Sequence, residues 1–138
     1  MRIVIDTNVI ISAIFFGGKP GHLVSLLMER KFEAYVSDAI ATEYRDTERH
    51  LAQKYSARKT SASMDDILAQ CRRVSPTKTV TVCRDPDDNK FIECALEGKC
   101  LYIVSGDSDL LDVRSYADVE IVTAAEFFER YGDQFLTD

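Results

Sequence analysis

Several acidic residues in this chain stand where an apolar run has just stopped. Asp6 directly follows Ile3-Val4-Ile5, and Asp107 follows Leu101–Ser105 across Gly106. Asp85, Asp87 and Asp88 follow Thr79–Cys83, and Glu43 lies about one and a half turns into the helix expected after Phe32–Val36. Each acid alone has an ordinary structural role. Asp6 and Asp88 suit helix caps, Asp85 and Asp87 flank Pro86 as turn formers, Glu43 suits a helix surface, and Asp107 and Asp109 suit a polar loop. Together they ask for more, because several segments deliver carboxylates to one edge of a sheet. Carboxylates held within a few ångströms raise one another's pKa, and a divalent cation removes that repulsion. Oxygen donors without His or Cys select Mg²⁺ or Mn²⁺. One or two such ions activate a water and stabilise the oxygens of an in-line displacement at phosphorus, which makes a phosphodiester the expected substrate.

Other chemistries find little support. No GxSxG elbow is present. The stretch FFGGKPG lacks the GxxxxGK[ST] pattern and follows a helix rather than a strand, and no GxGxxG follows a strand. A phosphoaspartyl transferase usually carries a second Asp two residues after the first, where this chain has Asn8. Cys71, Cys83, Cys94 and Cys100 form no CxxC pair and only His22 and His50 accompany them, so zinc and disulfides are not expected, and Cys94 reads as core.

The net charge of −6 over 138 residues argues against broad adhesion to nucleic acid. Its distribution is uneven. Residues 44–84 carry nine Lys/Arg against four acids, and residues 85–138 carry fourteen acids against four bases. A basic middle and an acidic end suit a polyanion held beside metal ions, although solvated helix faces would produce the same counts. Arg45, Arg49, Lys54, Arg58 and Lys59 are the candidate RNA-binding residues, in a clip over 38–63 for RNA or a protein partner. No apolar run reaches the length of about 18 residues that spans a bilayer. Asp6 and Asn8 interrupt the apolar N-terminus, which is not read as a signal peptide, so the expected compartment is the cytoplasm.

The elements that must position the acids alternate between β and α. Residues 2–5 read as a buried strand, 7–16 as helix, 16–21 as a Gly/Pro break, 22–30 as helix and 32–36 as strand. Ser37 is a natural N-cap for a helix from Asp38 to about Tyr55, with Ile40, Tyr44 and Leu51 on its inner face. A polar connection over 56–63 leads to a helix at 64–73 and a strand at 79–83. A turn at 85–87 opens a helix from Asp88 to Glu97 that Gly98 terminates. Strand 101–105, a polar loop over 105–112 and strand 119–122 follow, and Thr123 with Glu126 forms a capping box before the last helix. This order predicts one α/β domain over 1–138, a three-layer α/β/α sandwich with a central, mainly parallel sheet, whose crevice lies beyond the carboxyl ends of the strands.

With these segments in view, the chain resembles the PIN-domain nucleases, and within them the toxins of bacterial and archaeal toxin–antitoxin pairs. The resemblance rests on IVIDTNVIISA, SDAIATEY, RDPDDNKFIECAL and YIVSGDSDLL, in that order, and runs from Met1 to about Phe128. It implies that Asp6, Glu43, Asp88 and Asp107 are the catalytic acids, with Asp6, Asp88, Asp107 and, more loosely, Asp109 as metal ligands. The spacing from Asp88 to Ala95 matches the family's third motif, yet Asp85 competes with Asp88 for that place. Asn8 and Ser105 would orient carboxylates or the attacking water. The resemblance further implies a parallel α/β/α fold, RNA cleavage, a homodimer and inhibition by a co-encoded antitoxin. The readings that compete are a PIN-like module that binds RNA or protein without cutting, a metal-dependent DNA nuclease, and a phosphatase.

Overall fold

The computed structural model describes residues 1–55 and 62–135. Six strands form one sheet: β1 (Arg2–Ile5), β2 (Glu33–Val36), β3 (Arg72–Arg73), β4 (Tyr102–Val104), β5 (Ser115–Tyr116) and β6 (Val119–Val122). Their spatial order is β3-β2-β1-β4-β6-β5, with every pair parallel except β5 with β6. Ile3, Val4 and Ile5 are all buried, as are Tyr102, Ile103 and Val104. Side chains alternate faces along a strand, so consecutive buried residues mean that helices cover both faces. The expected α/β sandwich is the architecture found.

The helices are α1 (Thr7–Phe15), α2 (Gly18–Met28), α3 (Asp38–Ala52), α4 (Met64–Gln70), α5 (Asn89–Glu97), α6 (Ser108–Leu111) and α7 (Ala124–Tyr131). Ser37 caps α3, accepting the Ile40 amide at 3.3 Å, and Ile40 and Tyr44 face the core while Leu51 is half-buried. The Thr123–Glu126 capping box opens α7 as expected. Cys94 is fully buried, and all four cysteines are free. No helix among the described residues is long and apolar enough to cross a membrane.

Several boundaries differ from the sequence reading. The helix expected at 22–30 starts at Gly18, because Gly17 and Gly18 take positive φ and turn the chain through 97° between α1 and α2. Pro20 then falls in the first turn, where its missing N–H costs nothing. The helix expected to reach 73 stops at Gln70. Cys71 is extended, and Arg72 and Arg73 pair with Tyr35 and Val36 at the sheet edge as β3. Residues 79–83 are not a strand. Their amides bond to α5 side chains instead: Val80 N–H to Glu93 at 2.9 Å, and Val82 and Cys83 N–H to the Asn89 Oδ1 at 3.2 and 3.0 Å. The loop expected at 105–112 contains α6, and β5 was not anticipated. Gly98 ends α5 with φ −80°, and the left-handed residue is Lys99. Gly98 is required for space, since a Cβ there would meet the Tyr35 ring at 2.8 Å. Residues 56–61 of the polar connection lie outside the described residues.

Candidate active site

The sheet order reverses between β1 and β4: the chain runs outward to β2 on one side and to β6 on the other. Such a switch point opens a crevice at the carboxyl ends of its two strands. Ile5 is in register with Val104, so the next residues on the two strands, Asp6 and Ser105, lie side by side. The Asp6 amide continues the ladder to the Val104 carbonyl at 2.9 Å. The Ser105 hydroxyl donates to the Asp6 carboxylate at 2.7 Å and accepts the Asp107 amide at 2.9 Å. One buried hydroxyl thus holds the two strand-end acids in relation to each other.

Tyr44 donates its hydroxyl to the Ile5 carbonyl, tying α3 to the strand that carries Asp6. Glu43, the preceding residue, is thereby brought to the same crevice, where it accepts from the Thr7 hydroxyl and pairs with the Lys90 ammonium. From the third direction, the Asn89 clamp on residues 82–83 sets the turn that follows. Asp85 caps the 3₁₀ turn Pro86–Asp88 by accepting the Asp87 amide at 3.0 Å, while the Asp88 side chain makes no cap bond and is left to face the pocket.

The result is a pocket of about 280 Å³ in which Asp6, Glu43, Asp85, Asp88 and Asp107 converge from four segments, with Thr7, Asn8 and Thr47 completing the lining. Oxygen atoms of Asp85, Asp88 and Asp109 lie within 4.8 Å of one another. Asp85 and Asp88, rivals on sequence grounds, are therefore neighbours in one cluster. Asp109 also pairs with Arg84 at 3.0 Å, and Arg84 pairs in addition with Asp112. Asn8 is exposed at the rim, Ser105 is fully buried beneath the acids, and Asp87 points to solvent outside the pocket.

The electrostatics follow from this crowding. Asp6 is 4% exposed, and burial pushes its pKa up to about 6 against the pull of Ser105 and the Thr7 amide, with Asp107 and Glu43 adding repulsion. Burial also raises Asp88, helped by Asp107, Asp85 and Asp6, to about 7. A site whose acids resist ionisation is one that gains from a cation. Its donors are hard oxygens, the kind that hold a divalent cation: Asp85, Asp88 and Asp109 are close enough to share one, and Asp6 and Asp107 line the same pocket.

The basic stretch looks different in three dimensions. Arg45 pairs with Asp65 at 2.8 Å, Arg49 with Asp46 at 3.2 Å, Arg72 with Glu33 at 2.7 Å and Arg73 with Asp38 at 2.8 Å, all at the surface. The excess of positive charge counted along the sequence is thus largely matched locally. Lys54 is exposed, while Arg58 and Lys59 lie outside the described residues. Residues that sequence reasoning missed are Thr7, Thr47, Asn89 and Lys90. Thr7 and Lys90 engage Glu43, and Asn89 holds the loop. Thr7 and Lys90 adjoin acids already singled out, but nothing in their types signals a pairing with Glu43.

Comparison with known proteins bears on the family and the fold. The sequence profile of the PIN-domain family matches residues 2–109. The chain is 31% identical over 146 residues to the uncharacterized protein MJ1680 of Methanocaldococcus jannaschii, an alignment that covers 95% of this chain and 92% of that protein. The structure of the T. brucei RRP44 PIN domain superposes with a TM-score of 0.50 at 12% identity, covering 98% of this chain and 84% of that one, a likeness of fold.

Proposed function

The chain belongs to the PIN-domain family, typically metal-dependent nucleases, and on that premise we propose that it is a Mg²⁺- or Mn²⁺-dependent endoribonuclease, the toxin of a toxin–antitoxin pair. The observation that carries the reading is the meeting of five carboxylates from four segments at the switch point of the sheet. Asp6, Asp88 and Asp107 would hold the ion, joined by Asp109 or Asp85, and Glu43 would complete the acidic wall. When bound, the ion supplies charge neutralisation and activation of water. The chain's own groups do the rest. Ser105 fixes the orientation of Asp6 and the backbone of Asp107. Lys90 and Thr7 hold both oxygens of Glu43 in place. The acid-lined walls leave room for a phosphodiester only once their charge is balanced.

The test uses RNA and DNA oligonucleotides of one sequence, labelled for fluorescence release, in Mg²⁺, Mn²⁺ or EDTA. Cleavage of RNA alone, dependent on the ion and reduced by at least about 1000-fold in Asp6→Asn with the fold retained, supports the reading. Equal cleavage of DNA makes the protein a broader nuclease. Metal-dependent rise in melting temperature without cleavage makes it a binding module, and release of phosphate from a monoester makes it a phosphatase. The toxin role, exercised in the cytoplasm by a homodimer under a cognate antitoxin, predicts growth arrest on expression that Asp6→Asn relieves. Growth unaffected by an active nuclease would remove the toxin role and leave the nuclease.

A further inference from the structure

A second cavity of about 450 Å³ opens beside the acidic pocket. Asn8 lines both, and Ser105, which holds Asp6, forms part of the wall of the second, so the two are adjacent. The neighbouring groove is lined by Val9, Pro20 and Ala124 together with Lys19 and Gly106. It offers small apolar surfaces and one cation, where the first pocket offers carboxylates.

A strand of nucleic acid threaded through the acid pocket must place its flanking phosphates somewhere. Three cations on the segments that carry the acids are already engaged: Lys90 with Glu43, Arg84 with Asp109 and Asp112, Arg45 with Asp65. Lys19 is exposed on the groove and, among the described residues, has no carboxylate partner. An ammonium without a local anion, one cavity away from the acids, is free to take a phosphate. Gly106 leaves the floor open, since a Cβ built there meets nothing within 4 Å.

Resting on the ribonuclease reading above, we propose that this groove holds the nucleotide next to the scissile phosphodiester, with its phosphate on Lys19 and its sugar and base against Val9, Pro20 and Ala124. Single-stranded RNA is the occupant that the charge and the position beside the acids favour.

Two variants test it. Lys19→Gln removes the charge at an exposed site. Gly106→Leu fills the groove, and Gly106 does not take a positive φ, so a side chain there meets no backbone strain. Affinity for single-stranded RNA is read by fluorescence anisotropy in the full chain carrying Asp6→Asn, across a salt series with Mn²⁺ present. Lys19→Gln should weaken binding about fivefold and make the salt dependence shallower by about 0.7 in log–log slope, the value for one phosphate contact on a single strand. Gly106→Leu should weaken it about tenfold or more by excluding the nucleotide, with an unchanged melting temperature. Lys99→Gln, exposed at the opposite end of the strands, should change neither. In the chain with Asp6 intact, the losses should appear in KM rather than kcat. If both variants bind RNA like the parent, with the same slope, the groove proposal is overturned while cleavage still supports the nuclease. If RNA binding depends on Lys19 but nothing is cut, the groove is an RNA-binding surface without a scissile bond, and the nuclease reading falls. If the chain binds no RNA at all, both are wrong.

Discussion

The two halves of the acidic pocket are built by different means. Asp6 and Asp107 follow adjacent parallel strands and are set by the β1–β4 ladder, with Ser105 bridging them from beneath. Asp85 and Asp88 follow a segment that has no ladder and is held by α5 side chains, chiefly Asn89, Glu93 and Glu97. The first half inherits the rigidity of the sheet. The second is only as well placed as a few hydrogen bonds make it. An acidic site can thus be half scaffold and half clamp, and the clamp is where a change outside the pocket should reach the chemistry.

The largest effect expected from this contrast is at Asn89. Asn89→Ala removes the acceptor of two backbone amides, at a cost of about 2–4 kcal/mol measured by denaturant unfolding, and lets Asp85 and Asp88 drift. Asn89→Asp keeps the acceptor and should recover much of both stability and activity. Equal activity in Asn89→Ala and the parent would show that the clamp does not position the acids.

Both halves should declare themselves through pH, Asp6 for the strand-borne one and Asp88 for the clamped one. Asp6 is raised from 3.8 to about 6 and Asp88 to about 7 in the folded chain, so the fold binds their protons more tightly than the unfolded chain does. The stability they contribute is complete below about pH 4 and is lost as the pH rises through 6 and 7. Without metal, the melting temperature should therefore fall over that window. Asp6→Asn should flatten the fall and stabilise the metal-free chain at pH 7.5 by up to about 3 kcal/mol, because Asn carries no charge and its one amide oxygen can still accept from Ser105. A parent whose metal-free stability rises from pH 4 to 7.5 would contradict the crowding described here.

Smaller effects sharpen the comparison further. Ser105→Ala leaves Asp6 without its hydroxyl donor, and activity should drop about tenfold with little loss of fold. Arg49→Gln breaks an exposed pair with Asp46 and should shift stability by no more than about 0.5 kcal/mol. A shift of several kcal/mol there would mean that the surface arginines of α3 do more than balance local charge.

Much of this molecule was open to reading before its structure. The β-branched runs at Arg2–Ile5, Tyr102–Val104 and Val119–Val122 are strands, Ser37 and Thr123 cap helices, and the acids that follow β1 and β4 gather at one crevice. These features are legible because they depend on neighbours in sequence: a strand buried on both faces needs an unbroken apolar run, and a cap needs one oxygen in reach of the next turn. The segment Thr79–Cys83 shows the limit. Its residue types favour a strand, but a strand exists only where another strand accepts its amides, and here Asn89 and Glu93 reached them first. Arg72–Arg73 is the converse, two exposed arginines made into a strand because the open edge of β2 lay beside them. The sequence by itself determined the kind of fold, the chemical character of the acids and the strands that carry two of them. Only tertiary structure decided that Asp85, Asp88 and Asp109 share one cluster, that most arginines of the basic stretch are matched by local acids, and that Lys19 is left facing a groove. Those outcomes depend on distances between residues far apart in the chain, and such distances are set by packing rather than by local preference.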